Sequence, residues 1–334
     1  MLMIIGDAPS KDDIDRGQIF TGAPGSLLKN SLGQFGIAIA EARLTTLFSD
    51  YMGDIKFKLG PKADAIPGTT ALMSGKYLPR RYAPDLDRLH KEINDVNPTC
   101  ILALGATALW ATTGNSGLKN MRGTALPGLP VIGGRKVIPT YHPTAIFKEW
   151  KLRPIFLADL SKLRREMEYP DVRRPVRQVW IEPDLHDLAR FEQEHILPSE
   201  FLSIDIETSG RLITCIGFAP TPHIGLVIPF IKANRALYWK TAAEEIAAWR
   251  WVKRMCALPK KAVFQNGLYD MHHLWRNYGI PCLAAERGED TMLLHHALQP
   301  EMEKGLAFLG SVYSDEAAWK FMGRQKVGTI KKED

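Results

Sequence analysis

In the stretch FLSIDIETSG, Asp205 and Glu207 stand two residues apart among isoleucines. On a strand that spacing turns both carboxylates to one face and Ile204 and Ile206 to the other. Neighbouring carboxylates repel unless a cation lies between them. The stretch FQNGLYDMHHL adds Asn266 and Asp270, four apart and so on one side of a helix, with Asn266 a candidate nucleic-acid contact. Hard oxygen donors without a His/Cys cluster suit Mg2+ or Mn2+ rather than Zn2+. Two such ions about 4 Å apart activate a water and stabilise the leaving oxygen in phosphodiester cleavage. Asp205, Glu207 and Asp270 are thus candidate metal ligands and catalytic groups, with a solvated acidic edge strand as the alternative.

A second constellation lies in the first half, just after apolar segments. The loop GDAPSKDDIDRGQIF supplies Gly6, where backbone can approach a ligand, Asp7, a carboxylate able to orient water, and Phe20, an isolated ring with a stacking face. Asp50 is expected to end the second strand, where it would read a base edge. His142, in YHP, is placed to donate a hydrogen bond to a carbonyl or to a departing base. Together these residues fit the needs of base excision, in which a nucleotide is flipped from the stack, held against an aromatic and attacked at the sugar by water. Taken singly, they also read as a turn, a packing ring and a core histidine.

The elements that must position these groups alternate. Strands are expected in LMIIGDAP, LTTLFSDYM, CILALG and KVIPT, and helices in GSLLKNSLGQFGIAIAEA, DLDRLHKEINDVNP, ATALWATTG and IFLADLSKLRREM. Apolar strands separated by helices imply an α/β fold, a parallel sheet covered on both faces in three α/β/α layers. Ligands then sit beyond the carboxyl ends of the strands. After the Pro- and Arg-rich EYPDVRRPVRQ the rhythm changes. FLSIDIETSG, LITCIGFAP and HIGLVIPF read as an antiparallel meander, followed by a helix, a strand (KAVFQN) and further helices, so a mixed sheet.

At 334 residues the chain is expected to hold two domains, 1–167 and 179–334, joined by a linker at 168–178. The net charge of +6 is concentrated in the first half, where residues 1–165 carry 22 basic and 14 acidic groups. A basic half suits a polyanion such as DNA. No apolar run reaches the ~18 residues of a membrane span, which points to a cytoplasmic protein. The four cysteines, Cys100, Cys215, Cys256 and Cys282, are scattered in apolar stretches and read as inert buried thiols. No GxxxxGK[ST] loop is present, which argues against an NTPase.

GDAPSKDDIDRGQIFTGAPGSLL resembles the first motif of the uracil-DNA glycosylase superfamily, nearest its family 4 branch. ILALGATAL, RG at Arg122-Gly123, TYHPTAI and ADLSKL match its later landmarks in order. The resemblance implies that Phe20 stacks on the base, that His142 is the histidine of the HP motif, that Asp7 fills the acidic place, and that Gly6 and Pro9 shape the pocket. It makes Arg122 a candidate nucleic-acid contact. Two departures stand out. Family 4 members hold an iron–sulfur cluster on four cysteines, and this half contains Cys100 alone, so no cluster is expected. Asp50 stands where relatives carry an amide, and an ionised carboxylate only accepts hydrogen bonds.

The second half resembles the proofreading 3′–5′ exonuclease domain of the DNA polymerase I type, within the ribonuclease H-like fold. DIET corresponds to its first motif, NGLYD to its second, and EDTMLLHHALQPEMEKGLAFLGSVY to the helices that follow. The sequence ends before any third motif of the Y-x-x-x-D form, so the domain is expected to be incomplete, with weak or absent nuclease activity on its own. The expectation is a DNA repair and replication protein acting on single strands or 3′ ends, in bacteria or phage-infected cells. A separate polypeptide would supply the missing motif and a polymerase. The alternative is a non-catalytic DNA-binding part of a split replicative polymerase.

Overall fold

The computed structural model describes residues 1–282 and 288–316, and it separates into two compact units. The first comprises Met1–Arg174 together with the described part of Ala307–Asp334; the second is Pro175–Leu306. Residues 317–334, the tail of the expected second domain, lie outside the described residues.

In the first unit the chain runs β1 (Leu2–Gly6), α1 (Lys11–Arg16), α2 (Ala23–Gly33), β2 (Arg43–Thr46), α3 (Ala83–Val96), β3 (Cys100–Leu104), α4 (Ala106–Thr113), α5 (Leu118–Met121), β4 (Leu126–Pro127), β5 (Lys136–Thr140), α6 (Pro143–Lys148) and α7 (Arg153–Glu166). The strand order is β2-β1-β3-β5-β4; all pairs are parallel except the short β4 against β5. Strands β1, β3 and β5 are buried along their whole length. Alternation sends Met3, Ile5, Ile101, Ala103 and Val137 into one core and Leu2, Ile4, Leu102, Leu104 and Ile138 into the other. The three-layer α/β/α architecture expected from the sequence is therefore present. Because β1 pairs with β2 on one side and β3 on the other, the crevice beyond the carboxyl ends of β1 and β3 is the favoured ligand position.

Two expectations need correction here. Strand β2 ends at Thr46 rather than running on to Asp50. The Leu47 and Phe48 N–H groups still reach the Gly6 and Asp7 carbonyls, but the carbonyls of this stretch are taken by side chains: Thr46 Oγ1 donates to that of Phe48, and the Arg88 guanidinium donates to those of Thr46 and Leu47. The helix expected through GSLLKNSLGQFGIAIAEA stops at Gly33, with Gly36 at φ 68° ending its frayed turn.

The second unit runs β6 (Gln178–Ile181), α8 (Leu185–Phe191), β7 (Phe201–Ser209), β8 (Leu212–Thr221), β9 (Ile224–Pro229), α9 (Ala242–Cys256), β10 (Lys261–Phe264), α10 (Gly267–Tyr278), β11 (Glu289–Asp290) and α11 (Thr291–Leu298). Its six-stranded sheet has the order β11-β10-β7-β8-β9-β6. Strands β7, β8 and β9 form the antiparallel meander, while β10 joins β7, β11 joins β10 and β6 joins β9 in parallel. The mixed sheet expected from the sequence is present. Strand β6 begins at the last residue of the expected linker, where its exposed alternation left little apolar signal.

The last described helix, α12 (Leu306–Tyr313), packs with the first unit from Ala307 onward. Ser311 Oγ accepts from both terminal nitrogens of Arg122, and Lys162 Nζ donates to the carbonyls of Ser311 and Ser314. Asp315 pairs with Arg165.

Candidate base pocket and acidic sheet edge

The loop after β1 is held open by its own acids. Ser10 caps α1 in a capping box with Asp13. Asp13 is buried, and its carboxylate accepts from the Ser10 N–H and from both the N–H and Oγ1 of Thr21. Burial acts to raise its pKa, but these hydrogen bonds hold it below the ordinary range. With both ends of the loop tied to one carboxylate, Phe20 sits in the left-handed region at φ 56°, a strained conformation for an aromatic residue. Two glycines make room for it. A Cβ on Gly25 would lie 1.8 Å from the Phe20 carbonyl oxygen, and one on Gly6 would lie 2.9 Å from the ring carbon Cζ. Sequence reasoning found Gly6 and missed Asp13 and Gly25; the S-x-x-D spacing of Ser10 and Asp13 was the available signal.

Phe20 thereby faces His142 across a cavity of about 760 Å³, with ring centroids 6.4 Å apart and planes inclined by 33°. Asp7, Pro9, Phe20, Gly105 and His142 all line it. His142 is the N-cap of α6. Its Nδ1 accepts from the Thr144 N–H and lies 2.8 Å from Thr144 Oγ1. That engagement places the proton of the neutral imidazole on Nε2, leaving an N–H donor free. Burial lowers the His142 pKa to about 4, against the opposing charge of Asp13, so the ring is neutral at physiological pH.

Asp7 lies close to His142 around Gly105. A Cβ on Gly105, whose φ is +94°, would come within 3.2 Å of both Asp7 carboxylate oxygens and 3.4 Å of His142 Cβ. Burial raises the Asp7 pKa to about 6, outweighing hydrogen bonds from Thr107 and from the Ala108 backbone at the start of α4. Its Oδ1 is buried and has no hydrogen-bond partner. Gly6, Asp7, Pro9, Phe20 and His142 are thus brought together. Asp50 is not: it is exposed and outside the cavity lining, which takes up the chain from Tyr51 to Lys56.

Arg122 corrects another expectation. It is 1% exposed, so it cannot contact a nucleic acid. Its Nη2 lies 3.3 Å from Asp159 Oδ1, and Thr140 Oγ1 donates to Asp159 Oδ2 at 2.7 Å. Burial raises the Asp159 pKa to about 6, with Arg122 the largest opposing influence. Gly123 is obligatory beside it, since a Cβ there would lie 2.3 Å from Asp159 Oδ1. The RG pair is a structural pivot of the first unit. Cys100 is buried in β3 with its pKa pushed up to about 12, an inert thiol.

In the second unit Ile204 and Ile206 are buried and Asp205 and Glu207 exposed, the alternation expected of β7. Asp270 is 3% exposed on α10, and its Oδ1 accepts from the Ile206 N–H at 2.9 Å. Burial raises its pKa to about 6, and the charges of Asp205 and Asp290 add to the rise. Asp290 is the missed participant. Its carboxylate accepts from the N–H groups of Asn266 and Gly267 at the start of α10, and from that of Met292 in α11. It fixes the edge rather than offering free oxygens. The Asn266 side chain is exposed, with its backbone in the left-handed region at φ 62°.

The donor set fits a hard divalent cation, because mutual repulsion at Asp270 is what such an ion relieves. The spacing fits less well. Among the described residues, the carboxylate oxygens of Asp205, Glu207 and Asp270 do not form a group mutually within 4.8 Å. The group that does is Asp184, His186 and Asp187, where Asp184 and Asp187 form the capping box of α8.

Residues 1–164 match the family model described as the uracil DNA glycosylase superfamily. Over 167 residues the chain is 28% identical to a type-4 uracil-DNA glycosylase of Thermotoga maritima, covering 49% of this chain and 76% of that protein. The corresponding enzyme of Pyrobaculum aerophilum is 26% identical over 165 residues, covering 48% and 74%. Among solved structures, similarity is found to Brucella melitensis NrnC bound to pGG, with 16% identity, a TM-score of 0.30 and coverage of 43% of this chain and 63% of that one. The EXD2 exonuclease domain soaked in Mg and dGMP is similar with 12% identity, a TM-score of 0.29 and coverage of 46% and 78%. Among the described residues, no helix is long and apolar enough to cross a membrane. The first 164 residues of this chain are a domain of the uracil DNA glycosylase superfamily.

Proposed function

We propose that the first unit binds an extruded base against Phe20 and cleaves its glycosidic bond. The observation that carries this reading is the opposition of Phe20 and His142 across one cavity, with the Asp7 carboxylate beside them. In this reading Asp7, ionised above about pH 6, orients a water toward the sugar. The neutral His142 donates Nε2–H to the base as charge develops on it. The pocket offers no amide at Asp50 for reading uracil, so the base accepted is set by other lining groups. Base release from a uracil-containing single-stranded oligonucleotide tests the reading. Phe20→Ala is expected to reduce it at least tenfold, in line with the ~1–3 kcal/mol of one base–aromatic stack. Equal release by the variant and the parent would remove Phe20 from the site.

For the second unit we propose a divalent-metal site on Asp205, Glu207 and Asp270 that hydrolyses DNA from a 3′ end, weakly in this chain alone. Mg2+ or Mn2+ would supply the charge that activates water; the chain's own part is to hold three carboxylates, two along β7 and one in the first turn of α10. A separate polypeptide carrying a third motif and a polymerase belongs to the same proposal. Degradation of single strands in Mn2+ is expected to be slow and to vanish in Asp205→Ala. Robust degradation indifferent to that substitution would refute the assignment. The open spacing of the three carboxylates favours a second reading for this unit, a DNA-binding part of a split polymerase without catalysis of its own.

A further inference from the structure

Two segments that line the base cavity, Tyr51–Lys56 and Lys148, run on into exposed rings set among lysines. Phe57 is 87% exposed between Lys56 and Lys58, in the short turn Ile55–Lys58 that follows the lining residues Tyr51 to Lys56. Tyr51 is half-exposed with Lys11 Nζ 5.5 Å above its ring. On another segment Lys148 lines the cavity, and Trp150, two residues on, is 60% exposed with the Arg153 guanidinium 5.4 Å from its ring. A single exposed ring needs no explanation, but rings alternating with cations on two segments that both reach one cavity form a surface of defined chemistry. Of the acids beside these segments, Asp54 accepts from the Lys56 N–H and Glu149 pairs with Lys151, while Asp12 in the lining and Asp50 next to Tyr51 are exposed.

We infer that this rim is a platform for single-stranded DNA, on which Phe57 and Trp150 stack with bases flanking the one that enters the cavity. The inference rests on the base-excision reading of the pocket. Its physical ground is that an unpaired strand offers π-faces to the rings and phosphates to Lys56, Lys58 and Lys148 together. A duplex keeps its faces stacked internally and satisfies the lysines alone. Single strands are therefore bound more tightly than the same sequence in duplex form.

The test is fluorescence anisotropy of the full chain with a labelled single-stranded oligonucleotide and its duplex, across a salt series. Phe57→Ala and Trp150→Ala are each expected to weaken single-strand binding about tenfold or more while leaving duplex binding nearly unchanged. Phe57→Tyr and Trp150→Phe, which keep a ring, are expected to restore it. Lys58→Ala is expected to lower the slope of log affinity against log salt by about 0.7. Unchanged single-strand affinity in both alanine variants, or equal affinity for the two DNA forms, overturns the platform. Base release measured on the same proteins separates the two readings: loss only in Phe20→Ala leaves the pocket standing without the platform, and single-strand binding that depends on Phe57 and Trp150 without base release leaves the platform without the pocket.

Discussion

Asp7→Asn is expected to release base about 10²–10⁴-fold more slowly than the parent at pH 7.5, the usual contribution of a positioned acid–base group. It is also expected to lose the acid limb of the pH profile. The carboxyl must be ionised to orient water, and burial sets its pKa at about 6, so the parent's rate rises with pH through that value and then levels. The amide has no such titration. Stability moves the other way. A carboxyl whose folded pKa lies above its unfolded value of 3.8 favours the folded state most below 3.8, and that advantage is lost as pH climbs through about 6. At neutral pH the ionised buried group costs of order 3 kcal/mol, which the neutral asparagine relieves. Slower base release from a protein with a higher urea midpoint is the combined signature, and a variant equally active across pH 5–8 would exclude Asp7 from the chemistry.

The largest expected loss of stability follows from Arg122→Ala. The substitution takes from Asp159, which is 0% exposed, the stronger of the two cations that oppose its charge, leaving Lys162, and removes the donors to Ser311 Oγ. Stripping one member from a buried pair costs about 3–5 kcal/mol, more than the pair itself contributes, because the remaining charge is stranded. In urea the first unit's transition is expected to shift to lower denaturant while the second unit's stays in place. Asp159→Asn in the Arg122→Ala background is expected to recover part of the loss, since the neutral amide still pairs with Thr140 and no longer needs a counter-charge. A shift of under 1 kcal/mol for Arg122→Ala would contradict the burial of this pair.

What could be read from the sequence was what depends on local pattern. Period-2 burial placed Asp205 and Glu207 on the face opposite Ile204 and Ile206, and apolar runs bounded by glycine placed Asp7, Gly105 and His142 just beyond strand ends. What escaped depended on contacts far along the chain. Arg88, more than forty residues away, takes the Thr46 and Leu47 carbonyls at the end of β2, and Asp50 lies outside the cavity lining. Arg122 carries no local sign of burial; only Asp159 and Ser311, reached through the tertiary fold, determine it. Asp290 looks in sequence like an ordinary helix cap, and its second role, receiving the N–H groups that open α10, is set by strand pairing.

Since α12 groups by its contacts with the first unit, that unit is discontinuous in the chain, with Pro175–Leu306 between its two parts. Both ends of that stretch are anchored, so unfolding it opens a closed loop instead of freeing a tail, and the entropy gained is reduced by a closure penalty that grows only as the logarithm of the loop length. The border of similarity near residue 164 therefore differs from the border of internal contacts. A fragment ending there would carry the whole base pocket and still lack the serine and the carbonyls that receive Arg122 and Lys162.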